Sequence, residues 1–441
     1  MTELRTVRIH VLLLWLVGLT LRVGYLLAGL KTQMLEQVVA FSPDSRRYLY
    51  VADYLLRTNA DGEYYLFQLG PGYPGILAVL ELAFGPGLSA PFIFSLILGS
   101  LAPVIIYLTA WYLLGSRTVA LLAGLIAAVS TTSLALSCSL LTDQSFFTFH
   151  AAALLMFVIG MRTGEKRWFV AAGFLAGGAT CIRYVNQLWL AVFVLIALLV
   201  PVAGRFRSRR VLLARVGLTA GIMLLMIVLW STWNYTRHGV FAFAGNGLST
   251  ARGYWAARAI AEHTEGIDTK EAGLQFVTED KELFGDRKLT VAEDYQRKQQ
   301  HLRRMISEHP GWFLATYFRT IRDNVVARNY FPARQVPALA SFWRWLGDLS
   351  EKWLHPLWFL AALAGLGLMI HAGHRLAWIL LGFTFVYFTL VTGFSFWQGS
   401  RLHYPAEMAA SICVVYLIWH LAGIVKRRYQ AFRSPADVHR L

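Results

Sequence analysis

The segment Ser42-Pro43-Asp44-Ser45-Arg46-Arg47-Tyr48 is built to present a carboxylate. Ser42 suits an N-cap, Pro43 the first helical position and Asp44 the first turn, where free amides and the helix dipole stabilise negative charge. Asp44 is therefore expected to be ionised, with Arg47 and Tyr48 on its own helical face, three and four residues on. Leu49, Ala52, Leu55 and Leu56 are placed to rest on a membrane surface. A second acid, Asp143, stands in Leu141-Thr142-Asp143-Gln144. Two arginines complete the set, Arg183 in Ile182-Arg183-Tyr184 and Arg401 in Ser400-Arg401-Leu402-His403-Tyr404-Pro405. A guanidinium binds a phosphate through paired hydrogen bonds. Taken one at a time these are capping acids and snorkelling arginines. Together they read as two carboxylates and two cations at one boundary.

The elements that must position them are membrane spans. The chain has 441 residues, 56% hydrophobic and 15% charged, with mean hydropathy +0.49, which excludes an ordinary soluble globular protein. Ten stretches approach the ~20 residues needed to cross a hydrocarbon core: 9–30, 91–114, 118–136, 144–161, 168–182, 188–202, 211–233, 353–370, 376–394 and 402–424. An eleventh, Pro74–Phe84, is too short and reads as a juxtamembrane or re-entrant helix. Basic residues are retained on the cytoplasmic side. With the N-terminus inside, Arg117, Arg162, Lys166, Arg167, the cluster Arg205 to Arg215, Arg375 and the tail from Lys426 to Arg440 all fall inside. That alternation holds only if Pro74–Phe84 does not cross. Asp44, Asp143, Arg183 and Arg401 then share the external side. The first apolar stretch lacks a small-residue cleavage site and is expected to stay as an anchor.

The net charge of +16 is accounted for largely by these cytoplasmic segments, where attraction to anionic lipid suffices, and no nucleic-acid partner is expected. Cys138, Cys181 and Cys413 lie in or beside spans, without a CxxC motif, and read as small buried hydrophobes. Arg22, inside the first span, is expected to face the bundle interior against an acidic or carbonyl partner that the sequence does not name. The expected division is a transmembrane module 1–233 with a first external loop 31–90, an external segment 234–352, spans in 353–425 and a basic tail 426–441. The external segment is polar early and aromatic late (Trp312, Phe313, Tyr317, Phe318, Tyr330, Phe331, Phe342, Trp343, Trp345), as befits the headgroup level. Its Glu293–Ile321 stretch reads as helix with a stop at His309-Pro310. No internal repeat is present.

In this order and placement the chain resembles the GT-C superfold membrane glycosyltransferases, in particular the dolichyl-phosphate-mannose protein mannosyltransferases and the lipid A aminoarabinose transferase (glycosyltransferase family 39-like), and most closely their shorter bacterial members. The matching residues are Ser42-Pro43-Asp44 with Tyr48, Pro71-Gly72-Tyr73-Pro74, Asp143, Trp233-Asn234-Tyr235 with Gly239, Ile306-Ser307-Glu308-His309-Pro310, and Arg401-Leu402-His403-Tyr404-Pro405-Ala406-Glu407. The resemblance runs over nearly the whole chain. It implies an all-α integral membrane bundle of about ten spans, with the catalytic aspartate in its first external loop. It implies transfer of a sugar, with inversion, from a polyprenyl-phosphate donor to an acceptor glycan, lipid or protein on the external face of the inner membrane. Asp44 corresponds to the base and Asp143 to the second acid, with Arg47, Tyr48, Tyr73, Arg183, Arg401 and His403 as substrate and phosphate-binding candidates. Where an acid or lysine is usual before the Pro-Gly-Tyr-Pro segment, this chain has Gln68-Leu69-Gly70.

A divalent metal, Mg or Mn, is an option, since Asp44 and Asp143 could share a hard cation with phosphate oxygens, although two carboxylates alone make a poor cage. The rival class is a transporter or flippase of a phosphorylated lipid or anionic solute. Such proteins often show internal repeats and broken mid-span helices, and have little use for a large external segment.

Overall fold

The computed structural model describes residues 2–40, 42–57, 62–200, 206, 208–285, 287, 289–326, 334–349, 353–395 and 401–433. Arg205, Tyr330, Phe331, Ser400 and the tail from 434 to 441, named above, lie outside the described residues. Every regular element among the described residues is helical.

After α1 (Thr2–Leu30) come four short helices, α2 (Leu35–Val39), α3 (Pro43–Arg57), α4 (Gly62–Leu69) and α5 (Gly72–Phe84). The bundle continues with α6 (Ser89–Leu114), α7 (Arg117–Val129), α8 (Thr131–Ser137), α9 (Thr142–Thr163), α10 (Lys166–Ile182), α11 (Trp189–Leu199) and α12 (Arg209–His238). The segment that follows holds α13 (Asn246–Thr250), a π-helical turn (Ala251–Ala256), α14 (Ala257–Ala261), α15 (Thr269–Phe284), α16 (Val291–Glu308), α17 (Pro310–Val326) and α18 (Ala340–Leu349). Last are α19 (His355–His371), α20 (Arg375–Leu390) and α21 (Tyr404–Arg433).

Each of the ten stretches read as spans holds a helix among the described residues. Six are long and apolar enough to cross a membrane by themselves (α1, α6, α9, α12, α20 with the turn after it, and α21), and α7 with α8 makes a seventh if the bent pair counts as one. The sequence reads 118–136 as a single span, but the helix breaks by 57° after Val129. Ser130 leaves the helical region and its side chain accepts from the Ser133 amide, capping the restart. Bulky apolar side chains point outward from the long helices, among them Leu12, Leu16 and Leu27 of α1 and Leu225 and Leu229 of α12, as a lipid-facing surface requires.

The short α5 is pressed into the structure rather than laid across it. Tyr73, Pro74, Leu77 and Ala78 are buried, and α3 packs on them with Ser45, Tyr48, Val51 and Ala52. Ala52, expected on a membrane surface, therefore belongs to the protein core, because α5 offers that face an apolar partner. The glycine of the Pro-Gly-Tyr-Pro motif has a steric reason. A Cβ on Gly72 would lie 2.5 Å from the Cys181 carbonyl carbon and 2.6 Å from the Ile182 nitrogen, so only glycine lets α5 close on the end of α10.

Arg22 is fully buried and binds across helices, from Nε to Ser137 Oγ (2.9 Å), from Nη2 to Ser133 Oγ (2.6 Å) and within α1 from Nη1 to Gly18 O (3.0 Å). Its partners are a carbonyl of α1, as one of the expected kinds, and two hydroxyls of α8 where the sequence also allowed an acid. Substituting Gly72→Ala should lower the thermal unfolding midpoint in detergent, by a destabilisation on the order of 1–3 kcal/mol from overpacking. A midpoint equal to wild type would mean that α5 is free to shift away from α10.

Candidate functional site

Four charged side chains far apart in sequence converge at one end of the bundle. Asp44 sits in the first turn of α3, its amide donating to Ser42 Oγ at 3.3 Å, as capping chemistry dictates. Asp143 is the second residue of α9. Arg183 follows α10 in extended backbone, and Arg401 precedes α21. Arg401 donates from Nε to Asp143 Oδ2 at 3.1 Å and from Nη2 to Asp44 Oδ2 at 3.2 Å. Arg183 donates to the other Asp143 oxygen. The Asp143 side chain is 2% exposed and that of Arg401 9%, whereas Asp44 keeps 35%. Burial by itself would lower the basicity of Arg401, but the charges of Asp143 and Asp44 outweigh it and raise its pKa.

These groups line a cavity of about 370 Å³, in the range of a small-molecule site. Asp44, Arg47, Tyr48, Asp143, Arg183 and Arg401 all reach it. Burial first, and then the Asp44 charge, push the Tyr48 phenol above its ordinary pKa, and its hydroxyl meets Thr142 Oγ1 at 3.4 Å. Tyr73 is not in the lining; it meets Tyr48 edge-on from behind, ring centroids 5.2 Å apart. His403 also stands outside. Its ring is buried against Phe359 and His355, and burial pushes its pKa down to about 3. An imidazole held neutral supplies no cation to a phosphate. Gln68, in place of the usual charged residue, is buried and accepts from Ser249 Oγ at 3.1 Å.

The far wall comes from the segment after α12. Gly239, at φ +72°, ends that helix in the left-handed conformation that favours glycine. Asn234 then donates to the carbonyls of Ala242 (2.7 Å) and Phe243 (3.1 Å), folding the chain back. Gly245 donates to Phe67 O at 3.0 Å, where a Cβ would lie 2.6 Å from the Phe67 ring. Asn246, Thr250 and Tyr254 thereby line the cavity with Tyr184, Phe388 and Phe394. Sequence reasoning missed these three. Their spacing of four residues and the glycines flanking Asn246 were the available signal, but nothing local says which face meets Asp44. The helix stop at His309-Pro310 is found as read, between α16 and α17, away from the lining.

Residues 70–233 match the family model described as dolichyl-phosphate-mannose-protein mannosyltransferase. The match takes in Tyr73, Asp143, Arg183 and Trp233 but neither Asp44, Asn234 nor Arg401. Among solved structures, the oligosaccharyltransferase of Archaeoglobus fulgidus in complex with Zn and sulfate superposes with TM-score 0.51 at 13% identity, over 95% of this chain and 51% of that one. The GT-C membrane glycosyltransferase fold is what the two share. Two further structures of the archaeal oligosaccharyltransferase, one tethered to an acceptor peptide and one with an inhibitory peptide and a dolichol-phosphate, give TM-scores of 0.49 and 0.48 at 13% and 12% identity, again over 95% of this chain. The chain spans about half the length of these solved relatives (50% and 51%). No curated protein matches the sequence.

The fit of a metal can be judged from the donor set. Both oxygens of Asp143 are given to guanidiniums, one oxygen of Asp44 faces Arg401, and no group of three or more His, Cys, Asp or Glu able to hold an ion occurs among the described residues. A cation shared by Asp44 and Asp143 does not fit this arrangement, in which Arg401 already occupies the space between the carboxylates.

Arg401→Ala should strip Asp143 of one partner and Asp44 of its contact, a loss of about 3–5 kcal/mol for breaking a buried pair, read as lower thermal stability together with lost activity. The affinity for a phosphate-bearing donor should stay flat between about pH 5 and 8 as far as His403 is concerned, because its ring is neutral throughout. Affinity that falls as pH rises through this range, and no longer does so in His403→Gln, would show that the histidine binds phosphate as a cation.

Proposed function

We propose that this protein is an inverting glycosyltransferase that moves a sugar from a polyprenyl-phosphate donor to a hydroxyl acceptor on the external face of the membrane. The observation that carries the reading is the partly exposed Asp44 carboxylate facing a buried, charge-locked Arg401 across 3.2 Å at the mouth of the cavity. The placement of the basic residues supports the external face. Asp143 and Arg162 sit at opposite ends of the 22-residue α9, so the acid end of the bundle lies away from the Arg162–Arg167 loop.

In this scheme the donor phosphate takes hydrogen bonds from Arg401 and Arg183, with Arg47 at the rim. Arg401 moves from Asp44 to the phosphate, which frees the carboxylate for the acceptor. The acceptor oxygen attacks the anomeric carbon from the face opposite the phosphate, and its proton passes to Asp44. The bond from the anomeric carbon to the phosphate oxygen breaks, and its electron pair leaves with the polyprenyl phosphate. A single displacement inverts the centre. The phosphate is a stable leaving group, so the developing charge needs cations and not a strong acid, and the two arginines supply them from a site where water is scarce. Asp143 acts as a positioning residue, aligning both guanidiniums with its two oxygens. The lipid tail explains the membrane setting of the reaction.

Asp44→Asn should lower release of polyprenyl phosphate from a lipid-linked sugar by about 10²–10⁴-fold with little change in donor affinity. Release unchanged in this variant would overturn the assignment. With the same donor, chelation of divalent metals should change the rate of the wild type less than about twofold, since Arg183 and Arg401 hold the phosphate; loss of turnover restored by Mg or Mn would contradict that role.

A further inference from the structure

The cavity has two chemical halves. One is ionic, made of Asp44, Arg47, Asp143, Arg183 and Arg401. The other is neutral and polar, made of Asn246, Thr250 and Tyr254, joined to the first through Tyr184. Tyr184 follows Arg183 directly and hydrogen-bonds to Thr250, and a Cβ on Gly247 would lie 3.0 Å from its ring. We infer that Asn246, Thr250 and Tyr254 form the subsite that reads the uncharged hydroxyls of the sugar being transferred, an inference that rests on the reading of the ionic half as the phosphate site. With the phosphate on Arg183 and Arg401, the sugar attached to it extends along the wall that continues from Arg183. Amide, hydroxyl and phenol groups each donate and accept, as sugar hydroxyls do. They offer no charge to an ammonium or a carboxylate, and the cavity's only carboxylates among its lining residues are the two engaged by Arg401.

The π-helical turn gives this wall its aim. A π-turn inserts an extra residue into a helix and shifts the faces that follow. Here it spans Ala251–Ala256, and Arg252, on the side away from the cavity, is buried. Arg252 grips Asp280 with both terminal nitrogens (2.9 Å each) and reaches His301 through Nε (3.0 Å). Arg297 binds the same Asp280 at 3.0 Å and Asp294 at 2.8 Å. The turn is thus fixed from behind, and Tyr254, two residues on, is held at the cavity. Arg252 is a positioning residue for it.

The test uses the full-length protein in lipid with polyprenyl phosphates carrying a neutral hexose, its epimers, a neutral pentose, an amino sugar or a uronic acid, and reads kcat and KM for release of polyprenyl phosphate. Wild type should prefer a neutral sugar. Asn246→Ala and the shape-conserving Tyr254→Phe should each raise KM for that donor about tenfold and flatten the preference among epimers, with kcat within about threefold, the size expected for one lost hydrogen bond. Arg252→Gln should flatten the preference in the same direction, and Arg252→Lys should restore part of it. Preference for the charged sugars, or Asn246→Ala and Tyr254→Phe with KM and epimer preference unchanged, would overturn the subsite while release abolished by Asp44→Asn left the transferase reading standing. No release from any donor by wild type would overturn both.

Discussion

A guanidinium shut away from water between two carboxylates is the constraint on which this architecture turns. Desolvating Arg401 is costly, and the cost is met only if Asp143 and Asp44 are both in place. Those partners are 258 and 357 residues away in sequence, so the first loop, the start of α9 and the last span must meet at one point. Arg183 at the end of α10 is drawn to the same point by the second oxygen of Asp143. Each helix that ends there carries a charge whose partner stands on another element, which ties their depth and rotation together. The tight seat of α5 against α10 follows, since α5 supports α3, and α3 carries Asp44.

Beneath this layer lies a second polar one inside the bundle, built mostly of hydroxyls. Tyr404 lines the cavity, and its hydroxyl reaches Ser133 at 2.9 Å and Gln144 at 3.1 Å. Ser133 and Ser137 also receive Arg22, and Ser130, which caps the restart of α8, donates to Glu407 at 3.0 Å. A break in a membrane helix frees backbone groups that lipid cannot satisfy. In this chain the break is lined by side-chain hydroxyls on one side and by Arg22 and Glu407 on the others. The bend of α7 and α8 is thereby tied to the residues that hold Tyr404 and Gln144 under Asp143.

What could be read from the sequence was what local chemistry determines. Apolar runs gave the positions of the helices, Ser42-Pro43-Asp44 gave a helix start, and His309-Pro310 gave a stop, because each depends on residues a few positions apart. Asp44, Asp143, Arg183 and Arg401 were legible as a set because charged side chains at a membrane boundary need a reason. Three things were not legible. The break after Val129 depends on Ser130 meeting Glu407 and the Ser133 amide; Ser130-Thr131-Thr132-Ser133 marks the place in the sequence, but small hydroxyl residues also sit within continuous spans, and the partner is 277 residues away. The role of Asp143 depended on knowing that two arginines claim its two oxygens, which removes it as a shared metal ligand. His403, beside Arg401 in sequence, turns the other way into an apolar pocket by Phe359, and adjacency alone could not show that.

The two halves of the cavity differ in how freely they can change. On the ionic side a neutral substitution at Arg401 or Asp143 leaves a buried partner short of counter-charge, which costs several kcal/mol before any effect on chemistry. On the neutral side each residue contributes a hydrogen bond or a contact from a segment with its own small core around Trp255, Phe276, Met305 and Phe313. In the proposed subsite, altering Asn246, Thr250 or Tyr254 changes recognition by about 1 kcal/mol and leaves the charges where they are. In the proposed reaction the bundle fixes where a phosphate and an aspartate meet, and the segment between α12 and α19 can vary what is presented to them. A fold divided in this way separates the step that must not vary from the recognition that can.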